Sequence, residues 1–76
     1  MDVIIGGIYK HYKGDYYLVE NIAIHTETGE KMVIYRPLYG KDTVYARPYN
    51  MFIEKISDEN PQYRFQLQNT NNIVKQ

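Results

Sequence analysis

Turn signals recur along this chain at short, nearly regular intervals, as expected for strands joined by hairpins rather than helices joined by loops. They stand at Lys13-Gly14-Asp15, Glu27-Thr28-Gly29-Glu30 and Tyr39-Gly40-Lys41-Asp42. The segments between them are rich in β-branched and aromatic residues, which favour strands. The sequence therefore predicts an all-β fold of about five or six short strands, a small and strongly curved barrel of the SH3-like type.

The predicted strands follow directly from these turns. They cover residues 7–12, 16–20, 22–25, 31–35, 43–47 and 63–67. Pro48 lacks a backbone N–H, so the strand before it should end or lie at a sheet edge. Residues 49–52 are expected to form a single turn, and residues 51–56 favour a turn followed by a strand.

The length and composition favour one domain. With 76 residues the chain has a thin core, and we assign residues 1–67 to a single β domain and residues 68–76 to a polar tail rich in Asn, Gln and Thr. Cysteine is absent, which excludes disulfides and thiolate metal sites and fits a reducing compartment such as the cytoplasm. No apolar run of membrane-spanning or signal-peptide length is present, so no membrane association is expected.

The charges balance, since nine basic residues accompany nine acidic ones. A net charge of zero provides no long-range attraction to the phosphates of duplex nucleic acid, so duplex binding is not expected. Arginines that meet in one cleft would still hold a small anion, because local geometry decides that case. A small anionic ligand is therefore the predicted partner.

Two arginines lie within apolar strand segments, Arg36 and Arg47. One alternative is that they pair across the sheet with Glu27 or Glu30. The other is that they grip a phosphate or carboxylate with two parallel hydrogen bonds. The sequence leaves both alternatives open.

Nine tyrosines supply most of the aromatic content, and three of them accompany these arginines along the chain. Tyr35, Tyr39 and Tyr45 are the candidates for stacking on a base or another flat ring. Strand parity places Tyr9 and His11 on one face, because successive side chains alternate. Most tyrosines are expected at the rim of the core with their hydroxyls in water.

His25, Glu27 and Glu30 suggest a metal site or acid–base chemistry, for which the only further imidazole is that of His11. A catalytic zinc site commonly needs three suitably placed protein ligands. Threonines and acids beside a hairpin turn commonly bond to its backbone instead, and this interpretation is favoured. We therefore predict no metal, no catalytic residue and no cofactor, since a glycine-rich phosphate loop is also absent.

Several motifs together resemble a small family of bacterial and phage proteins, catalogued as domain of unknown function 1653. The motifs are Gly7-Ile8-Tyr9-Lys10-His11-Tyr12-Lys13-Gly14, His25-Thr26-Glu27-Thr28-Gly29-Glu30, Val33-Ile34-Tyr35-Arg36-Pro37-Leu38-Tyr39-Gly40, Tyr45-Ala46-Arg47-Pro48, Met51-Phe52 and Arg64-Phe65. The resemblance covers residues 6 to about 67 and implies a compact β fold in a bacterial or phage-infected cytoplasm. Where the family pattern has tryptophan before Val-Arg-Pro, this chain has Tyr45-Ala46.

The resulting expectation is a non-enzymatic binding module that holds an anionic, nucleotide-like ligand, for example to sequester or sense a nucleotide signal. Its candidate ligand-binding residues are Arg36, Arg47, Tyr35, Tyr39, Tyr45, His25, Glu27, Glu30 and His11. A second copy of the chain is expected to complete the cleft in a homo-oligomer. The alternatives are a protein- or RNA-interaction module and a small hydrolase that uses His25 with Glu27 or Glu30.

Overall fold

The structure, a computed structural model, describes residues 2–40, 42–58 and 62–69. Within these residues the only helix is the single turn α1 (Tyr49–Phe52), and the remaining elements are short strands. The strands are β1 (Ile8–His11), β2 (Tyr16–Ile24), β3 (Lys31–Pro37), β4 (Tyr45–Pro48), β5 (Lys55–Ser57), β6 (Gln62–Tyr63) and β7 (Phe65–Leu67). The predicted all-β fold is confirmed.

The described strands form two antiparallel sheets. Five of them form a sheet in the order β4-β3-β2-β1-β7, and β5 pairs with β6 in a second sheet. Three successive hairpins build most of the larger sheet, because β1 pairs with β2, β2 with β3 and β3 with β4. The last strand, β7, then pairs with the free side of β1. This order leaves β4 and β7 at the two edges of the described sheet.

Strand β2 is longer than the sequence suggests. Residues 16–20 and 22–25 are predicted as separate strands, whereas the structure contains one strand with a bulge between Val19 and Asn21. Val19 pairs with Tyr35 and Asn21 with Ile34, so Glu20 is the additional residue. A bulge bends its strand and increases the local twist, which curves the sheet around its inner face.

The predicted strand over residues 63–67 is divided at Arg64. The backbone N–H of Arg64 donates to the carbonyl of Glu54 over 2.9 Å, and its carbonyl accepts from the N–H of Tyr12 over 3.0 Å. These bonds lead to the two different sheets, so the chain passes from one sheet to the other at this residue. The prediction of a single strand here is wrong, because β6 pairs with the nearby β5 whereas β7 pairs with the distant β1.

Pro48 is the last residue of the edge strand β4, as predicted from its missing N–H. The single turn α1 follows at once, which confirms the turn predicted over residues 49–52. Its last residue, Phe52, has no solvent exposure. The turn therefore brings one aromatic side chain under the sheet.

The core is small and largely aromatic. Its buried members are Tyr9, Val19, Val33, Tyr35, Phe52 and Phe65. The rings of Phe52 and Phe65 stack with their centroids 4.0 Å apart, and Tyr35 meets both edge-on at 5.4 Å. Such edge-to-face contacts are favoured by the ring quadrupoles. The prediction that most tyrosines lie at the rim does not hold for Tyr9 and Tyr35, which are core residues.

Both buried tyrosine hydroxyls form hydrogen bonds. The Tyr9 hydroxyl accepts from the backbone N–H of Ile4 over 2.9 Å, and the Tyr35 hydroxyl accepts from Nε of Arg47 over 3.1 Å. Without a partner, a buried hydroxyl would cost folding free energy. These two bonds explain how a core of this size accommodates tyrosine.

Hydrogen bonding to β1 continues one residue past the predicted domain end, since the N–H of Gln68 donates to the carbonyl of Ile8 over 2.8 Å. Most of the predicted polar tail, residues 70–76, lies outside the described residues. In the described part of the chain, no helix has the length and apolar character required to cross a membrane.

The β-strand pairing shows no closed barrel among the described residues, because β4 and β7 are not paired with each other. The SH3-like barrel therefore stays a prediction.

Candidate functional site

The register of the sheet separates the two candidate arginines. Arg47 lies opposite the buried Val33, whereas Arg36 lies opposite Leu18. Directly paired residues share a face, and neighbouring residues of a strand point to opposite faces. Since Arg36 directly follows the buried Tyr35, it projects from the outer face, while Arg47 shares the inner face with Tyr35. The structure does not bring the two arginines together.

Arg36 pairs with acidic residues of the outer face. Its Nε lies 2.8 Å from a carboxylate oxygen of Glu20, and another nitrogen lies 4.0 Å from Asp42. Nε is shielded from solvent yet has no aligned hydrogen-bond acceptor, so the short contact is an ion pair without a well-directed hydrogen bond. The expected partners, Glu27 and Glu30, are not the ones found. The bulge presents Glu20 to Arg36 instead, and this could not be read from the turn sequence.

Arg47 has a different environment. Its Nε donates to the Tyr35 hydroxyl, and its guanidinium carbon lies 5.5 Å from the centre of the Phe65 ring. A guanidinium over an aromatic face is stabilised by the ring quadrupole. Within the described ranges no carboxylate lies within 4.0 Å of Arg47. A half-buried cation is thus held on the aromatic core without an acidic partner in that part of the chain.

His11 lies near Arg47 on the inner face, as strand parity predicts. Its ring is 4.9 Å from that of Phe65, and its Nδ1 accepts the backbone N–H of Lys13 over 3.1 Å. Burial lowers the pKa of His11 from its usual value, and the charges of Arg47, Arg64 and Lys13 lower it further, while Asp15 opposes them. The imidazole therefore lies in a predominantly positive environment, with Nδ1 occupied as an acceptor.

A cleft of about 320 Å³ opens at the end of the sheet where β2 begins and β3 ends, and neither Arg47 nor His11 is among its described lining residues. Its lining consists of Asp15, Tyr16, Tyr17, Pro37, Tyr39, Gly40 and Tyr45. We call this cavity the tyrosine cleft. It contains Tyr39 and Tyr45 of the predicted set, and Tyr39 is 76% exposed.

Ring contacts connect the tyrosine cleft to Arg47. The Tyr45 and Tyr17 rings lie 5.7 Å and 5.3 Å from the ring of Tyr35, whose hydroxyl binds Arg47. Burial raises the pKa of Tyr17, and the neighbouring carboxylate of Asp15 raises it further. The Tyr17 hydroxyl therefore stays protonated and able to donate at neutral pH.

Sequence reasoning missed five residues of this lining, namely Asp15, Tyr16, Tyr17, Pro37 and Gly40. The available signal was the tyrosine pair that directly follows the first turn. Its meaning depends on the pairing of Tyr17 with Pro37, which places the start of β2 next to the loop after β3. That pairing spans 20 residues of chain, so local sequence patterns do not reveal it.

His25, Glu27 and Glu30 lie at the opposite end of the β2–β3 hairpin, where Ile24 pairs with Lys31. Seven residues of β2 lie between them and the cleft, which at about 3.3 Å per residue is a distance of roughly 23 Å. The His25 Nδ1 accepts the backbone N–H of Glu27 over 3.1 Å and that of Thr28 over 3.4 Å. These two bonds support the interpretation of His25 as part of the turn scaffold.

The remaining turn contacts are also local. The Thr28 hydroxyl donates to a carboxylate oxygen of Glu30 over 3.4 Å, and the Glu30 carbonyl accepts the N–H of His25 over 2.8 Å. Among the residues that the structure describes, no three histidine, aspartate or glutamate side chains are grouped closely enough to hold a metal ion.

Comparison with known proteins places the chain in a family. A family model described as "Protein of unknown function (DUF1653)" matches residues 7–67. The chain belongs to this family. A crystal structure of a DUF1653 protein from Bordetella bronchiseptica is similar to it, with 35% sequence identity and a TM-score of 0.70 over 82% of this chain and 83% of that one. No curated protein matches significantly.

Membership of the DUF1653 family supports the fold and does not specify an activity. Tyr45 lines the tyrosine cleft, and 37% of its surface is exposed. An aromatic surface is therefore present at this position in a chain without tryptophan.

Proposed function

We propose that this DUF1653 protein is a non-enzymatic binding module for a small ligand that combines a flat ring with an anionic group, as a nucleotide does. The observation that carries the proposal is the tyrosine cleft, which is connected to Arg47 through the ring contacts and the hydroxyl of Tyr35. The cleft supplies aromatic faces, and Arg47 supplies a cation that no described carboxylate neutralises.

The size and lining of the cleft suit a single ring system. Ligand sites in proteins commonly begin at about 300 Å³, and this cleft of about 320 Å³ lies at that lower limit. Four tyrosines line it, and stacking on one aromatic side chain contributes about 1–3 kcal/mol per base. A mononucleotide is therefore favoured over a long polymer.

The charges around His11 support an anionic group on the ligand. The charges of Arg47, Arg64 and Lys13 all lower the pKa of this imidazole, and among the described residues Asp15 raises it. Arg64 is itself paired with Glu54 at 2.6 Å, so Arg47 is the stronger candidate to contact an anion. The proposal thus depends on Arg47, and Arg36 is assigned to the outer face.

One observation favours a protein-interaction module as the second candidate. Strand β4, which carries Tyr45 into the cleft, is an edge of the described sheet. An edge strand can pair with a further strand from a partner or from a second copy of the chain. The neighbouring tyrosine cleft would then bind a side chain of that added strand. Sedimentation at micromolar concentration tests the homo-oligomer.

We also retain the SH3-like barrel as part of this proposal. The inner-face contacts support strong curvature, because Arg47 of β4 lies over Phe65 of β7 although the two strands are opposite edges of the sheet. The β2 bulge bends the sheet in between. In such a barrel Arg47 would lie between the two approaching edges, over the ring of Phe65.

The test is a thermal-shift screen with mononucleotides, cyclic nucleotides and short oligonucleotides. A ligand at 100 times its Kd stabilises a protein by about 2.7 kcal/mol. In a domain of this size, that gain gives a clearly measurable rise in melting temperature. Isothermal titration with Arg47→Gln and Tyr45→Ala should then show affinity losses of roughly tenfold to a hundredfold. Arg36→Gln is the matched control, because it removes the same charge from the outer face. Equal affinity for all three variants would contradict the proposed site.

A further inference from the structure

Among the described residues, Asp15 is the one formally charged member of the lining of the tyrosine cleft. It follows the first turn, where its carbonyl accepts the N–H of His11 over 2.8 Å and the N–H of Gly14 donates to the His11 carbonyl over 2.7 Å. These backbone bonds hold the residue at the start of β2. In the described part of the chain, no lysine, arginine or histidine nitrogen lies within 4.0 Å of its carboxylate.

A carboxylate is an unexpected component of a site for an anionic ligand. Ionised carboxylates only accept hydrogen bonds, and they repel phosphate oxygens at close range. Asp15 therefore suits a part of the ligand that presents N–H donors, away from the anionic group. In a nucleotide, that part is the hydrogen-bonding edge of the base.

We propose that Asp15 selects guanine, by accepting hydrogen bonds from the N1–H and the 2-amino group of a base stacked in the tyrosine cleft. This inference rests on the proposed function and names the ligand class of the same site. The two carboxylate oxygens match two adjacent donors, as they match the parallel N–H groups of a guanidinium.

Guanine is the only common base with two neighbouring donors on this edge. Adenine and cytosine each place one amino group beside a ring nitrogen that accepts, and uracil places its single N–H between two carbonyls. Opposite a carboxylate, each of these three bases places a hydrogen-bond acceptor of its own against a carboxylate oxygen, which is also an acceptor. Such a mismatch leaves acceptors unpaired and lowers the affinity, even though Asp15 itself is exposed, and this is how polar sites discriminate between similar ligands.

The test uses isothermal titration of the full chain with GMP, IMP and AMP. IMP keeps the N1–H of guanine and lacks the 2-amino group. We expect GMP to bind roughly tenfold to a hundredfold more tightly than AMP, with IMP between them. The variant Asp15→Asn should lose most of this preference, because an amide presents one donor where two acceptors are needed. Asp58→Asn, an exposed acid that pairs with Lys55 outside the cleft, is the matched control.

The outcomes separate the two proposals. If GMP, IMP and AMP bind equally well to the native protein, guanine selection is overturned while the proposed function stands. If no nucleotide binds, both fail. A fourth probe, choline, tests whether the tyrosines and Asp15 recognise a cation instead, and choline binding without GMP binding would also overturn the inference. Should Asp15→Asn fold poorly, the ranking of GMP, IMP and AMP on the native protein decides alone.

Discussion

The Nε of Arg47 donates a hydrogen bond to the buried hydroxyl of Tyr35 over 3.1 Å, which links the aromatic core to the edge of the candidate site. Tyr35 has only 4% of its surface exposed and contacts Tyr17 and Tyr45, which both line the tyrosine cleft. The same residue thus contributes to folding and positions the cation. Stability and ligand binding should be coupled at this bond.

Replacing Tyr35 with phenylalanine should lower the free energy of unfolding by about 0.5–1.5 kcal/mol, because the ring packing remains and one hydrogen bond is lost. Urea denaturation measures the change. The exposed Tyr63 provides the control, and Tyr63→Phe should change stability by less than about 0.5 kcal/mol. A Tyr35→Phe protein as stable as the native one would show that the bond to Arg47 contributes nothing to folding.

Replacing Phe65 with alanine should cost about 3–5 kcal/mol, since it removes the stacking partner of Phe52 and leaves a cavity. A loss of this size approaches the whole stability of a small domain. Circular dichroism during urea denaturation records it. Leu67→Ala, on the same strand and 46% exposed, should cost much less. Similar losses for both variants would contradict a core centred on the phenylalanine stack.

Arg64 should contribute more to stability than Arg36, although both form ion pairs. Arg64 donates to a Glu54 oxygen at 2.6 Å and to the Met51 carbonyl at 3.3 Å, and it anchors the chain between the two sheets. Arg64→Lys should lose about 1–2 kcal/mol, because an ammonium cannot reach both acceptors. Arg36→Lys should lose less than about 1 kcal/mol. Thermal unfolding of the two variants compares them, and the reverse order would contradict this assignment.

Acid should weaken the fold through His11. Burial and the nearby Arg47, Arg64 and Lys13 lower its pKa below the usual 6.5, so the unfolded chain binds this proton more readily. The stability that depends on the neutral ring is present above about pH 6.5 and is lost as the pH falls through the lowered pKa. Urea unfolding between pH 7 and 4.5 measures the slope, and His11→Gln should reduce it.

An anion bound near Arg47 should reverse this shift. NMR titration of the His11 ring should then give a higher pKa with ligand than without it, because the anion offsets the neighbouring cations. A pKa that stays the same when ligand binds would place the anionic group away from His11.

Much of the fold could be predicted because its signals are local. Glycine in a turn and the missing N–H of Pro48 each constrain the backbone within a few residues, so the hairpins, the edge strand β4 and the turn α1 follow from the sequence. The turn bonds of His25 are local as well, since those to Glu27 and Thr28 span only two and three residues.

Only the tertiary structure decided which residues meet. Arg36 lies on the outer face because it follows the buried Tyr35, and the bulge at Glu20 places that carboxylate beside it. The pairing of Tyr17 with Pro37 brings Asp15 into the cleft that Tyr39 and Tyr45 line. Strand pairing joins residues that are distant in the chain, and a shift of one residue reverses every side chain, so turn and strand propensities alone do not specify such a site.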